Sequence, residues 1–156
     1  MKRLIIFIFA SLLFVGCTSS SQSNSFKDTQ GDVIKFSNLQ GKWAVINYWA
    51  TWCHSCVGEI PQLNSFYERY KSKVLVLGVN YDSLDKNKLK QAIEKFHIKF
   101  PVLMRDPRKV LNLDDAGVVP TTYIINPKGR VVKQLLGPQT KNGLAFWLKQ
   151  LSTPKP

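Results

Sequence analysis

The chain has 156 residues, the length of one domain, and such a chain buries a core without covalent staples. Its three cysteines, Cys17, Cys53 and Cys56, exclude a framework of structural disulfides. The 22 Lys and Arg against 10 Asp and Glu give a net charge of +12, but the basic residues (Lys86, Lys88, Lys90, Lys95, Lys99, Arg105, Arg108, Lys109) are scattered. They read as a solvated face, and no nucleic-acid partner is expected without a basic stripe interleaved with aromatics.

The N-terminus reads as a targeting segment. Lys2-Arg3 is followed by an apolar run from Leu4 to Val15, too short for a stable bilayer span. Phe14-Val15-Gly16-Cys17 resembles a bacterial lipobox. The resemblance implies a signal peptide over residues 1–16 and a lipidated Cys17. It also implies an extracytoplasmic (periplasmic) protein on a membrane anchor. Thr18 after the cysteine implies the outer membrane in a Gram-negative cell. Residues 17–25 form the lipidated cysteine and a polar tether.

Phe26 to Phe36 has the pattern of a β-hairpin around Gln30-Gly31-Asp32, and Ser37 to Gly41 that of a turn. Trp43-Ala44-Val45-Ile46-Asn47-Tyr48-Trp49 is β-branched and aromatic, a buried strand. Ile60, Leu63, Phe66, Tyr67 and Tyr70 then recur at helical spacing, with Pro61 as a kink inside the helix. Cys53 and Cys56 therefore sit where a strand gives way to a helix. The unpaired N–H groups of the first turn favour a thiolate at Cys53. Cys56, three residues on and on the same side, is close enough to close a disulfide and, being deeper, reacts second. A bare Cys-x-x-Cys is shared by zinc half-sites, but zinc usually needs four ligands, the available partners are His54 and His97, and His54 is too close to its flanking cysteines to complete a tetrahedron, so no metal is expected.

Val74 to Asn80 is a continuous apolar run, as in a strand covered on both faces. Asp85 caps a helix with Leu89, Ala92, Ile93 and Phe96 as its buried stripe. Phe100 to Met104 reads as an edge strand. Asp106-Pro107 reads as an N-cap and first helical residue of a short helix ending near Gly117. Gly117 to Ile125 is a loop entering a strand, Asn126-Pro127-Lys128-Gly129 a tight turn, and Arg130 to Leu135 the return strand. Thr140 caps a last helix with Leu144, Trp147, Leu148 and Leu151 on one face. Trp43, Trp49 and Trp147 read as core residues, and residues 153–156 as a tail.

Trp52-Cys53-His54-Ser55-Cys56 after an apolar strand, with Pro61 five residues past the second cysteine, resembles the thioredoxin superfamily. Ala50-Thr51-Trp52-Cys53-x-x-Cys56 with Glu59 and Pro61 is similar to its extracytoplasmic TlpA/ResA-like branch. That resemblance implies an α/β thioredoxin fold over residues 26–152: a central mixed β-sheet flanked by helices, an N-terminal β-hairpin and an inserted strand-helix element between Asn80 and Gly117. It implies a membrane-anchored thiol–disulfide oxidoreductase, a reductant of protein disulfides including those of cytochrome c maturation, with a membrane thiol carrier as electron donor. No cofactor is expected, because the Cys53–Cys56 dithiol itself stores two electrons.

Cys53 is then the nucleophile and Cys56 the resolving thiol. Many thioredoxins have a buried Asp six residues before the first cysteine; here it is Asn47, so proton transfer at Cys56 falls to Glu59. Pro120 matches the superfamily's cis-proline, with Val119 offering backbone to an extended substrate. Trp52 covers one side of the dithiol. His54, beside Cys53, tunes its pKa toward an oxidant. Ser55 stands where many relatives have proline. Two alternatives follow from the same residues: a general disulfide oxidase or isomerase of this fold, favoured by His54, and a copper carrier using the cysteine pair. A peroxidase is disfavoured, because Thr51 is misplaced for a threonine three residues before a peroxidatic cysteine.

Overall fold

The computed structural model describes residues 25–39 and 41–153. The signal peptide, the lipobox with Cys17 and most of the tether lie outside the described residues. Five strands form a mixed sheet in the order β5-β4-β3-β6-β7: β3 (Trp43–Trp49), β4 (Val74–Asn80), β5 (Val102–Leu103), β6 (Thr121–Ile125) and β7 (Val131–Leu136). β3 and β4 are parallel, as are β4 and β5, whereas β6 runs antiparallel to both β3 and β7. The mixed sheet expected from the resemblance is this one. A hairpin of β1 (Ser25–Lys27) and β2 (Val33–Lys35) precedes it, so the chain enters regular structure one residue earlier than a tether to Ser25 allows.

The period of two along β3 builds two cores. Val45 and Trp49 face α1 (His54–Tyr70), α2 (Lys86–Lys95) and α4 (Lys141–Ser152), together with Leu63, Phe66, Leu89 and Leu144. Ala44, Ile46 and Tyr48 face the hairpin and the residues around α3 (Arg108–Leu111), with Phe26, Phe36, Leu113 and Ala116. Of the tryptophans, Trp49 is fully buried, while Trp43 and Trp147 are half-buried against the first core. Asn47 lies between Val45 and Trp49 in sequence and so shares their face, the one covered by α1.

Local signals account for the elements. Asp28 Oδ1 accepts from the N–H groups of Gln30, Gly31 and Asp32 and closes the hairpin turn. The hairpin hooks onto β5, with Thr29 N–H donating to Val102 O and Met104 N–H to Lys27 O, which covers one end of a two-residue edge strand. Asp85 caps α2 through Asn87 and Lys88, and Thr140 Oγ1 caps α4 through Gly143. Helix α1 runs through Pro61 without ending. Gly78 is required by a close approach: a Cβ there would stand 3.0 Å from Phe100 Cε2 and 3.1 Å from Val102 Cγ2.

The helix expected to end near Gly117 is a single turn ending at Leu111, with Pro107 at its cap rather than inside it. Asn112 adopts a left-handed conformation and stops it. The following loop is tied down by tertiary contacts instead. Arg108 pairs with Asp106 and Asp115, and the Tyr123 hydroxyl donates to Asp114 O. The Tyr48 hydroxyl donates to Asp106 Oδ1 at 2.6 Å; its burial, with that carboxylate beside it, raises the phenol far above its ordinary range.

Candidate active site

The site lies where β3 ends. Cys53 is the N-cap of α1, with extended backbone, and its Sγ accepts from Cys56 N–H at 3.2 Å. A sulfur therefore occupies the place that Ser or Asp fills in an ordinary cap, where the helix N-terminus favours negative charge. Cys53 and Cys56 are joined in a disulfide, with Cα atoms 5.3 Å apart. Burial separates the two cysteines: Cys53 keeps 6% of its surface and Cys56 none. Of the pair, only Cys53 keeps any exposed surface.

A second loop faces the pair. The Val119–Pro120 peptide bond is cis, and Cys53 Sγ lies 3.6 Å from Val119 O. Thr121 Oγ1 donates to Val118 O and Gly137 N–H to Pro120 O, so the loop is held from both sides. Gly137 has φ +80°, a conformation glycine adopts without strain. That turn aims the next segment at α1, where Gln139 N–H donates to Glu59 Oε2 at 2.6 Å.

Glu59 is buried on α1, one turn beyond Cys56. Asn47 Nδ2 donates to its Oε1 at 2.7 Å and also to Thr122 Oγ1 at 3.0 Å. Burial pushes the carboxyl up from 4.5 to about 7, against the two hydrogen bonds, which favour the anion. The group can thus hold or release a proton near neutrality.

Cys53, Cys56, Glu59, Val119 and Pro120 converge on this end of the sheet. Trp52 and His54 stand at its rim, both exposed. Trp52 keeps 69% of its surface and donates its indole N–H to Asp82 Oδ1. Beside it runs a groove lined by Thr51, Leu84, Lys88, Lys95 and Phe96. Thr51 commits both its N–H and its hydroxyl to Asp82 Oδ2, each at 2.8 Å. Burial alone would raise the Asp82 carboxyl, but its bonds from Thr51, Asn80 and Trp52 outweigh that and hold it below its ordinary value. No group of three or more His, Cys, Asp or Glu that could hold a metal ion occurs among the described residues.

Three contributors escaped the sequence reading. Asp82 offered one signal, an acid just past the end of a parallel strand, where loops gather around a site. Asn47 was read only as a group that does not titrate, not as the donor that holds Glu59. Gln139 acts through its backbone N–H, which no side-chain pattern announces.

A family model described as the AhpC/TSA family matches residues 20–134. The chain belongs to that family. Within its thioredoxin fold the chain is 34% identical over 126 residues to the thiol-disulfide oxidoreductase ResA of Bacillus thuringiensis (strain Al Hakam), covering 80% of this chain and 72% of that protein. It is likewise 34% identical over 136 residues to ResA of Bacillus subtilis (strain 168), covering 83% and 75%. Among solved structures it is similar to StoA from Bacillus subtilis, with a TM-score of 0.66, 26% identity and coverage of 80% and 94%. The exposed lipoprotein thioredoxin of Streptococcus pneumoniae strain TIGR4 shares the fold, with a TM-score of 0.69, 24% identity and coverage of 81% and 97%.

Proposed function

We propose that this protein is a thiol–disulfide oxidoreductase of the ResA type that reduces disulfides in protein substrates outside the cytoplasm. The single observation that carries the reading is the asymmetric sulfur pair. One sulfur sits at a helix N-terminus and faces the Val119–Pro120 loop, and the other is sealed beneath it.

The chemistry follows from the positions. In the reduced protein the Cys53 thiolate attacks a sulfur of the substrate disulfide. A mixed disulfide forms, and the substrate's other sulfur leaves as a thiolate. The Cys56 thiol then gives its proton to the Glu59 carboxylate and attacks Cys53 Sγ. The Cys53–Cys56 bond closes and the second substrate thiolate departs. The substrate gains two electrons and the dithiol loses two, so the reaction needs no bound cofactor. Val119 lies where an extended substrate segment can pair with backbone beside the reacting sulfur.

The anchoring proposal rests on the sequence of the N-terminus. A lipid on Cys17 would tether the domain through residues 18–24 and hold it near a membrane thiol carrier that restores the dithiol. Cytochrome c maturation is the candidate process, and a periplasmic location, at the outer membrane in a Gram-negative cell, goes with it. A peroxidase is disfavoured because Thr51 stands two residues, not three, before Cys53.

The test is reduction of insulin by the pre-reduced protein and by Cys53→Ser. Reduction by the wild type and none by the variant is expected; an undiminished rate in the variant sinks the reading. Alkylation in living cells should find the pair mainly reduced. A mainly oxidised pair, with a strongly oxidising equilibrium against glutathione, would favour the oxidase or isomerase alternative.

A further inference from the structure

Residues 112–120 join α3 to β6 without helix or strand, and near their end Val119 O lies 3.6 Å from Cys53 Sγ. A run of polar contacts ties this loop to the central strand. The buried Tyr48 on β3 donates to Asp106 Oδ1 at 2.6 Å. Arg108 donates from its backbone N–H to the same oxygen at 2.8 Å and from Nη2 to Asp106 Oδ2 at 2.9 Å. Its Nη1 donates to Asp115 Oδ1, which also accepts from Gly117 N–H at 3.2 Å. Gly117, with φ +63°, turns the chain into Val118, whose carbonyl accepts from Thr121 Oγ1 at 2.8 Å.

We propose that Arg108 and Asp115 are positioning residues for substrate: their ion pair holds the Gly117 turn, so that Val119 meets an incoming disulfide-bearing segment with its backbone already set for pairing. The inference rests on the thiol–disulfide reading above and adds what fixes the loop.

A lone exposed ion pair contributes little, because solvent screens it and two long side chains must be held still. Here the guanidinium is 29% exposed and spans two carboxylates, one of them fastened to a buried tyrosine. Arg108 is thus fixed from behind before it reaches Asp115, and its planar fork loses little freedom on pairing. The Val118 side chain is exposed, so its own burial does not hold the loop. An extended segment that pairs with an unheld loop must order it first. Ordering one backbone residue costs about as much as a tenfold change in binding. The advantage belongs to a peptide that pairs with backbone, and not to sulfur exchange itself.

Two disulfides separate these cases on the full domain: insulin, and hydroxyethyl disulfide, which has no peptide backbone. Pre-reduced protein is mixed with each, quenched and alkylated, and the loss of its own dithiol gives the second-order rate constant. Arg108→Ala and Asp115→Ala should each slow the reaction with insulin about tenfold and leave hydroxyethyl disulfide unchanged. The double variant should be no slower than the slower single variant, because the two side chains act through one contact. The two substitutions change the net charge in opposite senses, so a shared loss does not come from charge. Asp115 is 69% exposed, so Asp115→Ala keeps the test available if loss of Arg108 unfolds the chain.

Opposite shifts in the two variants would make charge steering responsible and overturn the proposal. So would an equal loss with both disulfides, which would place the ion pair in support of the dithiol or the fold. Additive losses in the double variant would show two independent roles and overturn it as well. If both variants reduce insulin at the wild-type rate, the proposal falls and the oxidoreductase reading stands. A wild type that reduces neither disulfide removes both.

Discussion

Asn47 and Glu59, on different elements, are joined by a hydrogen bond of 2.7 Å from Nδ2 to Oε1 inside the first core. On the central strand Glu59 thus meets a neutral donor and no second charge. The carboxyl lies one turn beyond Cys56 on α1 and titrates near neutrality.

Removing the donor tests the pairing. Asn47→Ala leaves Glu59 with only Gln139 as donor and leaves Thr122 Oγ1 without the Asn47 bond. Loss of a donor to a buried carboxylate should raise the Glu59 pKa further and cost about 1–3 kcal/mol. A carbon-detected NMR titration of the Glu59 carboxyl and denaturant unfolding read the two effects. An unmoved Glu59 pKa would mean that the amide does not set it.

Glu59 also makes stability depend on pH. Its folded-state pKa is raised from 4.5 to about 7, so the folded protein binds this proton more tightly than the unfolded chain. The stability so gained is complete below about pH 4.5, fades as pH rises toward about 7 and is gone above it. The loss attributable to this group is about 3 kcal/mol across that window. Glu59→Gln should flatten that part of the curve of unfolding free energy against pH. It should also slow the resolving step at least tenfold, within the usual range for a lost general base. A variant with the wild-type slope and rate would take Glu59 out of the mechanism.

Asp82 holds the two residues before Cys53 by accepting from Thr51 N–H, Thr51 Oγ1 and Trp52 Nε1. Asp82→Ala should release the indole, change its fluorescence and destabilise the fold by about 1–3 kcal/mol. Because its folded pKa is depressed, the stability it contributes is present above its ordinary 3.8 and lost as pH falls through the lower folded value. The variant should therefore lose less stability than the wild type on acidification. Unchanged indole emission would show that the clamp does not hold Trp52.

Gly78 is a packing test independent of the site. Gly78→Ala places a Cβ 3.0 Å from the Phe100 ring and 3.1 Å from Val102, both in the buried core. Overpacking of this kind costs about 1–3 kcal/mol, with little change in insulin reduction. Wild-type stability in the variant would show that β5 and Phe100 yield easily.

Local pattern alone settled the strands flanking the dithiol, the helix that begins at the pair, and the caps at Asp85 and Thr140. The reason is that periodicity and capping are properties of short stretches. The place of Val119-Pro120 opposite the cysteines came instead from the resemblance to the thioredoxin superfamily, not from local pattern. The length of α3 was not legible, because Arg108, Asp115 and Asn112 end it through side-chain and backbone contacts that the apolar pattern does not encode. Nor was the partnership of Asn47, Glu59 and Gln139, whose members come from a strand, a helix and a loop. Sequence supplied the sulfurs and the carboxyl; only folding excluded water from Glu59, put two donors on it and left one sulfur within a partner's reach, because burial and hydrogen-bond geometry exist only once distant segments share a volume.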